Sequence, residues 1–349
     1  MKIKISSVVS LVIVVFVCIP AVTQAQYQGQ NNNYGVSGGN INDISRRFCC
    51  SGTLGSLVRG ANGTLYILSN NHVLARTDQA IAGEDISQPG LIDNNCVAPR
   101  IVADYSAKVA LGSNVDCAVA ALRSGTMNTT GSIQGVGTPS VNTVSPSVGM
   151  AVQKSGRTTG HTTGNIGSIN TSVSVQYQPS CGSGRKINFS YTNQVLINNS
   201  TFSAGGDSGS LILTTGACPR PVALLFAGSS STTIGNPIGE VISKMSSALG
   251  SALSFVGMNC TGPGSQFESQ SFQFPQQALV HANRVLEQNR QDLMSRPAVI
   301  GVGLGALEDN SAPAVVVYVD KTNPAKPQLP AQIGNVPVRI VMTDPFIAY

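Results

Sequence analysis

The sequence predicts an all-β protein in which two small antiparallel β-barrels are closed by a helix and followed by a small α+β unit. Only 11% of the 349 residues are charged, about half of what soluble proteins usually carry, and 37 are glycines. This composition disfavours long charged helices and coiled coils. Short apolar runs separated by turn residues occur in two sets, and an amphipathic helical stretch follows the second set.

The first 25 residues have the pattern of an export signal. Lys2 and Lys4 precede a short apolar run over 8–19, and small residues at 23–25 suit a cleavage point. The run is too short for a stable membrane span, which needs about 20 apolar residues, although an uncleaved anchor is the alternative. We therefore expect residues 1–25 to be a cleaved signal peptide and the protein to be secreted or periplasmic.

The mature chain begins with a polar segment and then the first set of strands. Residues 26–45 are rich in Asn, Gln and Gly, and this composition predicts a flexible N-terminal segment. Strands are expected over 53–59 and 64–68, joined at Asn62-Gly63, because both turn residues tolerate positive φ. Another apolar run at 115–122 predicts a further strand.

A second set of apolar runs follows a Gly, Ser, Thr and Pro-rich connection. Strands are predicted at 149–154, 165–176, 193–197, 209–214 and 221–228. After these runs, five apolar residues share one face of a predicted helix: Ile238, Val241, Ile242, Met245 and Leu249. We interpret residues 46–260 as one domain.

The remaining residues predict a linker and a separate unit. Residues 261–274 have a linker-like composition, and 275–295 show helical periodicity after a proline suited to a first helical turn. Strands are predicted at 298–304, 314–320 and 336–342. Residues 275–349 are thus expected to form an accessory α+β module, which could contact the preceding domain or a partner.

Cysteine and charge patterns limit the possible functions. Without the signal segment the chain has seven cysteines, Cys49, Cys50, Cys96, Cys117, Cys181, Cys218 and Cys260. Their spacing includes no CxxC pair, and the chain has only three histidines, so we expect no metal and no cofactor. An oxidising compartment predicts disulfides with at least one unpaired thiol, and Cys117 lies in an apolar run typical of burial. The net charge of +5 is dispersed, which disfavours nucleic acid binding.

The most informative motif is Gly-Gly-Asp-Ser-Gly-Ser at 205–210, directly before an apolar run. Its glycines allow a tight bend that leaves two N–H groups free to stabilise an oxyanion when the serine attacks a carbonyl. The alternative interpretation is a polar turn before a strand.

A serine nucleophile needs a base and a group that orients the base. His72 is expected at the end of a strand, where a side chain can be presented at a barrel rim. His161 lies in a Thr/Gly-rich stretch and His281 on the C-terminal helix, where structural or exposed roles are more usual. Asp116 begins an apolar strand, where an unpaired charge would be costly, so it is the candidate orienting carboxylate. An exposed aspartate at a strand start is the alternative.

These residues resemble the trypsin/chymotrypsin-like serine proteases. Ser69-Asn70-Asn71-His72, Asp116-Cys117-Ala118-Val119 and Gly206-Asp207-Ser208-Gly209 match the family's three motifs in order and approximate spacing. The segments 52–55, 68–75 and 224–229 are more narrowly similar to a bacterial subgroup that also resembles the plant Narrow-leaf 1 proteins. The resemblance covers roughly 48–250, and it implies two six-stranded antiparallel β-barrels with a terminal helix.

The resemblance also implies an activity and a set of roles. Ser208 would be the nucleophile, His72 the general base and then acid, and Asp116 the orienting carboxylate. The N–H groups of Gly206 and Ser208 would form the oxyanion hole, and the strand Phe226-Ala227-Gly228 would pair with an extended polypeptide substrate. The expected function is a serine endopeptidase that works through an acyl-enzyme.

A further segment predicts a buried ion pair. Lys154 to Gly160 resembles the RSGRTTG segment of the α-lytic and streptogrisin proteases, in which a cation pairs with the aspartate before the nucleophile. Lys154 would neutralise Asp207, with Arg157 as the nearby alternative. The other possibility is that Lys154 and Arg157 are both solvated charges on a loop.

Two departures from the family pattern bear on activity and specificity. Phe226 stands where the family usually has a serine whose hydroxyl supports the catalytic aspartate. Phe202 stands where a trypsin-type pocket has an acid, so a small or apolar side chain is expected before the scissile bond. The competing hypothesis is a catalytically weak binding or scaffold protein on a protease fold.

Overall fold

A computed structural model of the chain describes residues 28–260 and 274–349. The predicted signal peptide at 1–25 lies outside the described residues, and so does the predicted linker at 261–274 except for its last residue.

The described residues form twenty strands, three α-helices and one short 3-10 helix (Leu91–Asp93). The strands are β1 (Val36–Asn40), β2 (Gly52–Leu54), β3 (Ser56–Gly60), β4 (Leu65–Ser69), β5 (Asp85–Ser87), β6 (Ile101–Lys108), β7 (Ala118–Leu122), β8 (Ala151–Gly156), β9 (Gly160–Asn165), β10 (Ser168–Tyr177), β11 (Ile187–Ile197), β12 (Leu211–Thr214), β13 (Pro221–Gly228), β14 (Thr233–Pro237), β15 (Leu253–Phe255), β16 (Val299–Ala306), β17 (Pro313–Asp320), β18 (Gln332–Ile333), β19 (Val336–Thr343) and β20 (Phe346–Ala348). The helices are α1 (Asn71–Leu74), α2 (Ile238–Leu249) and α3 (Gln276–Ser295).

Strands β1 to β7, joined by the later strand β15, form an eight-stranded sheet in the order β15-β3-β4-β7-β6-β5-β1-β2. Its tightest hairpin is the predicted one: Gly60 and Thr64 close the turn between β3 and β4, and Gly63 has φ +86°, which glycine adopts without a steric cost. The apolar face of α2, including Val241 and Met245, packs into the core of this sheet. The predicted helix therefore links the two halves of the molecule, because it follows β14 of the other sheet.

The second sheet runs β18-β19-β17-β16-β10-β11-β14-β13-β12-β8-β9, and β20 pairs with both β10 and β13. The two sheets and few helices confirm the predicted all-β class. The sheets contain eight and twelve strands rather than the expected six per barrel, because short additional strands and the C-terminal strands extend them.

The C-terminal residues form the predicted helix and strands, and their sheet is continuous with the second barrel. Gly301 and Val302 of β16 pair with β10 in antiparallel register, and α3 covers β16 and β17. The buried core between them includes Leu286, Val315 and Val317. This continuity was not expected from the sequence, which carries no local signal for which strands become neighbours.

Two local expectations need correction. Within the segment expected to be flexible, Val36–Asn40 form a fully buried strand that pairs with β2 and β5. Its small residues pack closely, as at Gly38, where an added Cβ would collide with the Leu54 side chain. His72 does not lie on a strand end but on the one-turn helix α1, directly after β4.

Six cysteines pair as Cys49–Cys96, Cys50–Cys181 and Cys218–Cys260, and Cys117 is a buried free thiol as predicted. Disulfides persist in oxidising compartments, so the three pairs support an extracellular or periplasmic protein. Across the described ranges, no helix has both the length and the apolar character to cross a membrane.

Candidate active site

The imidazole of His72 and the carboxylate of Asp116 form a short, buried pair. His72 Nδ1 lies 2.6 Å from Asp116 Oδ2, and the carboxylate is fully buried. The neighbours of His72 hold α1 in place: the Asn70 amide donates to the Asp116 carbonyl at 2.7 Å, and the Asn71 amide donates to the Val109 carbonyl at 2.7 Å. The consecutive asparagines thus orient the turn that presents His72.

Two aromatic hydroxyls support the same carboxylate. Tyr177 donates to Asp116 Oδ2 at 2.8 Å, and the Tyr191 hydroxyl lies 2.7 Å from that of Tyr177. Burial, together with the negative charge of Asp116, holds the pKa of Tyr177 well above its usual value, so the phenol keeps its proton and acts as a donor. Tyr177 therefore supplies the hydroxyl that the sequence comparison found missing at Phe226.

Both nitrogens of the His72 ring face hydrogen-bond acceptors. Nδ1 faces Asp116, and Nε2 lies 2.9 Å from the main-chain carbonyl oxygen of Tyr349. Because neither acceptor can donate, both ring nitrogens must carry hydrogens, which describes the charged imidazolium. Burial by itself lowers the pKa of His72, but the Asp116 charge and the hydrogen bonds outweigh it, so the pKa is raised.

The loop at 205–210 turns at two glycines. Gly206 has φ +97° and Gly209 has φ +93°, conformations that other residues adopt only with strain. Thr53 of the first sheet holds the loop, because its N–H donates to the Ser208 carbonyl at 2.8 Å and its hydroxyl to the Gly206 carbonyl at 2.9 Å. Within the described part of the chain, the N–H groups of Gly206 and Ser208 have no acceptor.

The Ser208 hydroxyl is buried and donates to the Phe226 carbonyl at 3.1 Å. Among the described residues it makes no hydrogen bond to His72, whose Nε2 faces Tyr349 instead. The structure thus pairs two of the three predicted catalytic groups directly. The third group, Ser208, is connected to the other two only indirectly: its hydroxyl and the Tyr349 N–H both donate to the Phe226 carbonyl, the latter at 3.4 Å.

The predicted cations have different partners. Lys154 Nζ lies 3.4 Å from Asp207 Oδ2, and both side chains are fully buried. Thr159 connects the two groups: its hydroxyl accepts from Lys154 and donates to Asp207 Oδ2 at 2.7 Å. Arg157 instead forms a buried two-point pair with Asp93, with both contacts at 2.7 Å.

A cavity of about 290 Å³ opens beside these groups, and its lining includes Asp43, His72, Arg157, Gly206 and Tyr349. Burial raises the pKa of Asp43 to about 6, against the lowering effect of the His72 and Arg76 charges. No motif marked Asp43, Tyr177 or Tyr349, because each is brought to the site by folding from a distant part of the sequence.

The predicted substrate strand Phe226-Ala227-Gly228 is the end of β13, where Ala227 and Gly228 pair with β20. The ring of Phe226 turns away into an apolar cluster, with its centroid 4.9 Å from that of Tyr191. Phe202 is fully buried in a separate cluster, against which the Tyr349 side chain packs.

Comparison with known proteins gives structural similarity only. No family model and no curated protein matches the chain. A solved glutamic-acid-specific serine protease is 20% identical over 64% of this chain and 98% of its own, with a TM-score of 0.44. Nocardiopsis protease (14% identity, 64% and 98% coverage, TM-score 0.44) and Cellulomonas bogoriensis chymotrypsin (16%, 65% and 99%, TM-score 0.42) are also similar.

The chain resembles trypsin/chymotrypsin-like serine proteases. The narrower similarity to the Narrow-leaf 1 proteins stays a prediction.

Proposed function

We propose that the protein is an exported serine endopeptidase with Ser208 as nucleophile, His72 as general base and Asp116 as the carboxylate that orients the base. The observation that carries the proposal is the buried 2.6 Å pair of His72 and Asp116 beside a loop that offers two unpaired N–H groups and a serine. The three disulfides support export.

The reaction needs His72 in its neutral form, with the hydrogen on Nδ1. Nε2 then accepts the Ser208 proton while Oγ attacks the peptide carbonyl, and the N–H groups of Gly206 and Ser208 stabilise the oxyanion. The same proton passes from Nε2 to the leaving amine, so the peptide C–N bond breaks and an ester with Ser208 forms. Water, deprotonated by His72, then releases the acyl group and restores the serine.

The surrounding groups have supporting roles in this proposal. Tyr177 keeps Asp116 ionised and in place. Lys154 neutralises Asp207, whose carboxylate also accepts the Thr158 N–H at 2.8 Å and the Ala204 N–H at 3.0 Å, so the ion pair shapes the loop that carries Ser208. The edge of β13 at 226–228 binds the substrate main chain.

The proposal is tested by a fluorophosphonate probe followed by peptide mapping. We expect the label on Ser208, no label in Ser208→Ala, and a steep loss in His72→Ala. The matched controls are Ser200→Ala, an exposed serine, and His281→Ala, whose imidazole contacts the Gly334 carbonyl on the far module. Folded protein that takes up no label between mildly acidic and mildly alkaline pH would instead favour the binding or scaffold protein.

A further inference from the structure

The last residues of the sequence form a strand inside the proposed substrate cleft. Strand β20 pairs antiparallel with the edge of β13, with Ala348 opposite Ala227 and Ile347 opposite Gly228. On its other side it pairs with β10 in parallel register. The segment Phe346–Tyr349, called here the tail segment, therefore takes the place of an extended peptide added to a sheet edge.

Main-chain contacts place Tyr349 where the residue before a scissile bond would lie. Its N–H donates to the Phe226 carbonyl at 3.4 Å, and its own carbonyl oxygen reaches His72 Nε2 at 2.9 Å. A substrate aligned for attack would direct this oxygen at the N–H groups of Gly206 and Ser208. The tail segment is thus bound in register but turned away from the oxyanion hole.

The side chain of Tyr349 enters a pocket that fits it. Its hydroxyl donates to the Ser229 carbonyl at 2.8 Å, and its ring packs against the apolar cluster that contains Phe202. Gly228 leaves the room for the ring, since a Cβ there would collide with the Tyr349 hydroxyl. Burial raises the pKa of Tyr349 to about 12, so the hydroxyl remains a donor at neutral pH.

A second aromatic residue holds the other end of the tail segment. Phe346 is almost fully buried, with its ring centroid 5.9 Å from that of Tyr318. Just before it, the Thr343 and Ser229 hydroxyls lie 2.5 Å apart, and Asp344 pairs with Lys321 at 3.1 Å. The C-terminal module therefore delivers the tail segment to the cleft and fixes its register at both ends.

We propose that the tail segment is a built-in inhibitor that occupies the cleft as a peptide substrate would, and that the enzyme cuts after tyrosine-type aromatic residues. The inference rests on the proposed function. While the tail segment is bound, His72 is held between two acceptors and cannot take the Ser208 proton. The tyrosine in the pocket also replaces the sequence-based expectation of a small or apolar side chain before the scissile bond.

Tethering sets the size of the expected effect. A short tether gives an effective concentration in the millimolar range, about ten times a dissociation constant of about 0.1 mM for a four-residue peptide, so the tail segment would leave the cleft open about one tenth of the time. Removal of the Tyr349 side chain should weaken this occupancy without touching a catalytic group.

The test compares Ser208 acylation by a fluorophosphonate in four full-length or nearly full-length chains: the parent, Tyr349→Gly, a chain that ends at Pro345, and Met342→Ala. Met342 is an exposed apolar residue on the neighbouring strand β19 and serves as the matched control. We expect acylation about tenfold faster in Tyr349→Gly and in the shortened chain, and unchanged in Met342→Ala. Equal rates in all four chains would overturn the inference while leaving the proposed function intact.

A binding measurement separates the two proposals. In a Ser208→Ala chain that also ends at Pro345, calorimetry should show the peptide acetyl-Phe-Ile-Ala-Tyr binding at least tenfold more tightly than acetyl-Phe-Ile-Ala-Glu. The full-length Ser208→Ala chain should bind the tyrosine peptide about tenfold more weakly than the shortened chain does, because its own tail segment fills the cleft most of the time. If no chain labels at Ser208 but this peptide preference holds, the proposed catalysis fails and the cleft assignment stands; equal binding of both peptides refutes the assignment. Should the shortened chain not fold, Tyr349→Gly combined with Ser208→Ala takes its place.

Discussion

The Tyr177 hydroxyl offers a direct test of how the orienting carboxylate is supported. It donates to Asp116 Oδ2 at 2.8 Å, and the Tyr191 hydroxyl lies 2.7 Å from it, all within buried surroundings. Tyr177→Phe removes one oxygen and keeps the ring. The change leaves Asp116 with one donor fewer and Tyr191 without its phenolic partner.

The expected magnitude follows from these two contacts. A hydrogen bond to a buried charged group contributes about 1.5–3 kcal/mol, and a neutral one about 1 kcal/mol. We therefore expect the free energy of unfolding to fall by about 2–4 kcal/mol in Tyr177→Phe. Acylation should slow by about tenfold, since His72 keeps its 2.6 Å contact with Asp116 but loses a fixed carboxylate; tenfold corresponds to about 1.4 kcal/mol.

The assay combines urea unfolding with the rate of fluorophosphonate labelling at Ser208. The matched control is Tyr191→Phe, which removes a hydroxyl from the same chain of contacts but leaves the Asp116 contact in place. This control should cost about 1 kcal/mol and change acylation less than twofold. If Tyr177→Phe acylates at the parental rate, or if the two variants behave alike, the hydroxyl does not support the carboxylate as described.

Two more predictions concern charges near the site. Asp116 and the charge of Asp43 raise the pKa of His72 against the opposing effect of burial, so acylation should decline as the pH falls through a value above the ordinary histidine value of 6.5. Tyr349→Gly keeps the main-chain carbonyl at 349, but it weakens the hold on the tail segment, so this carbonyl should leave Nε2 more often and the decline should move to lower pH. Protonated His72 also stabilises the fold: this contribution is fully present below pH 6.5 and is lost as the pH rises through the folded-state pKa. A parental acylation rate that declines only below pH 6.5 would contradict the raised pKa. Lys154→Met should lower acylation and reduce the free energy of unfolding by about 3–5 kcal/mol, because Asp207 is left buried without its cation. Adding Asp207→Asn should recover part of the stability. If the double variant recovers none, the loss of the ion pair is not the cause.

Much of the architecture could be predicted because it is encoded locally. The Asn62-Gly63 hairpin, the apolar face of α2 and the helix α3 each depend on residues a few positions apart, and each forms where the periodicity indicates. The strand β1 was missed because its Val-Ser-Gly-Gly-Asn sequence has little apolar character. Its burial comes from partners on β2 and β5, which local propensity does not register.

The candidate site divides along the same line. Short motifs carry His72, Asp116, Ser208 and the cation Lys154. Tyr177 has no motif and meets Asp116 only because the fold brings the end of β10 to the residues before β7. Lys154 on β8 and Arg157 just after it are both buried, and only the fold decides that Lys154 meets Asp207 while Arg157 meets Asp93.

The sequence by itself determined the all-β class, the order of those strands and helices whose residues carry a clear apolar periodicity, and the candidate residues of the site, because these depend on residue types and short spacings. Only the tertiary structure decided that strands β16 to β20 extend the second sheet and bring the Tyr349 carbonyl to His72. Contacts between residues 277 positions apart arise from sheet registry and the packing of many side chains at once, and no local pattern in the chain specifies them.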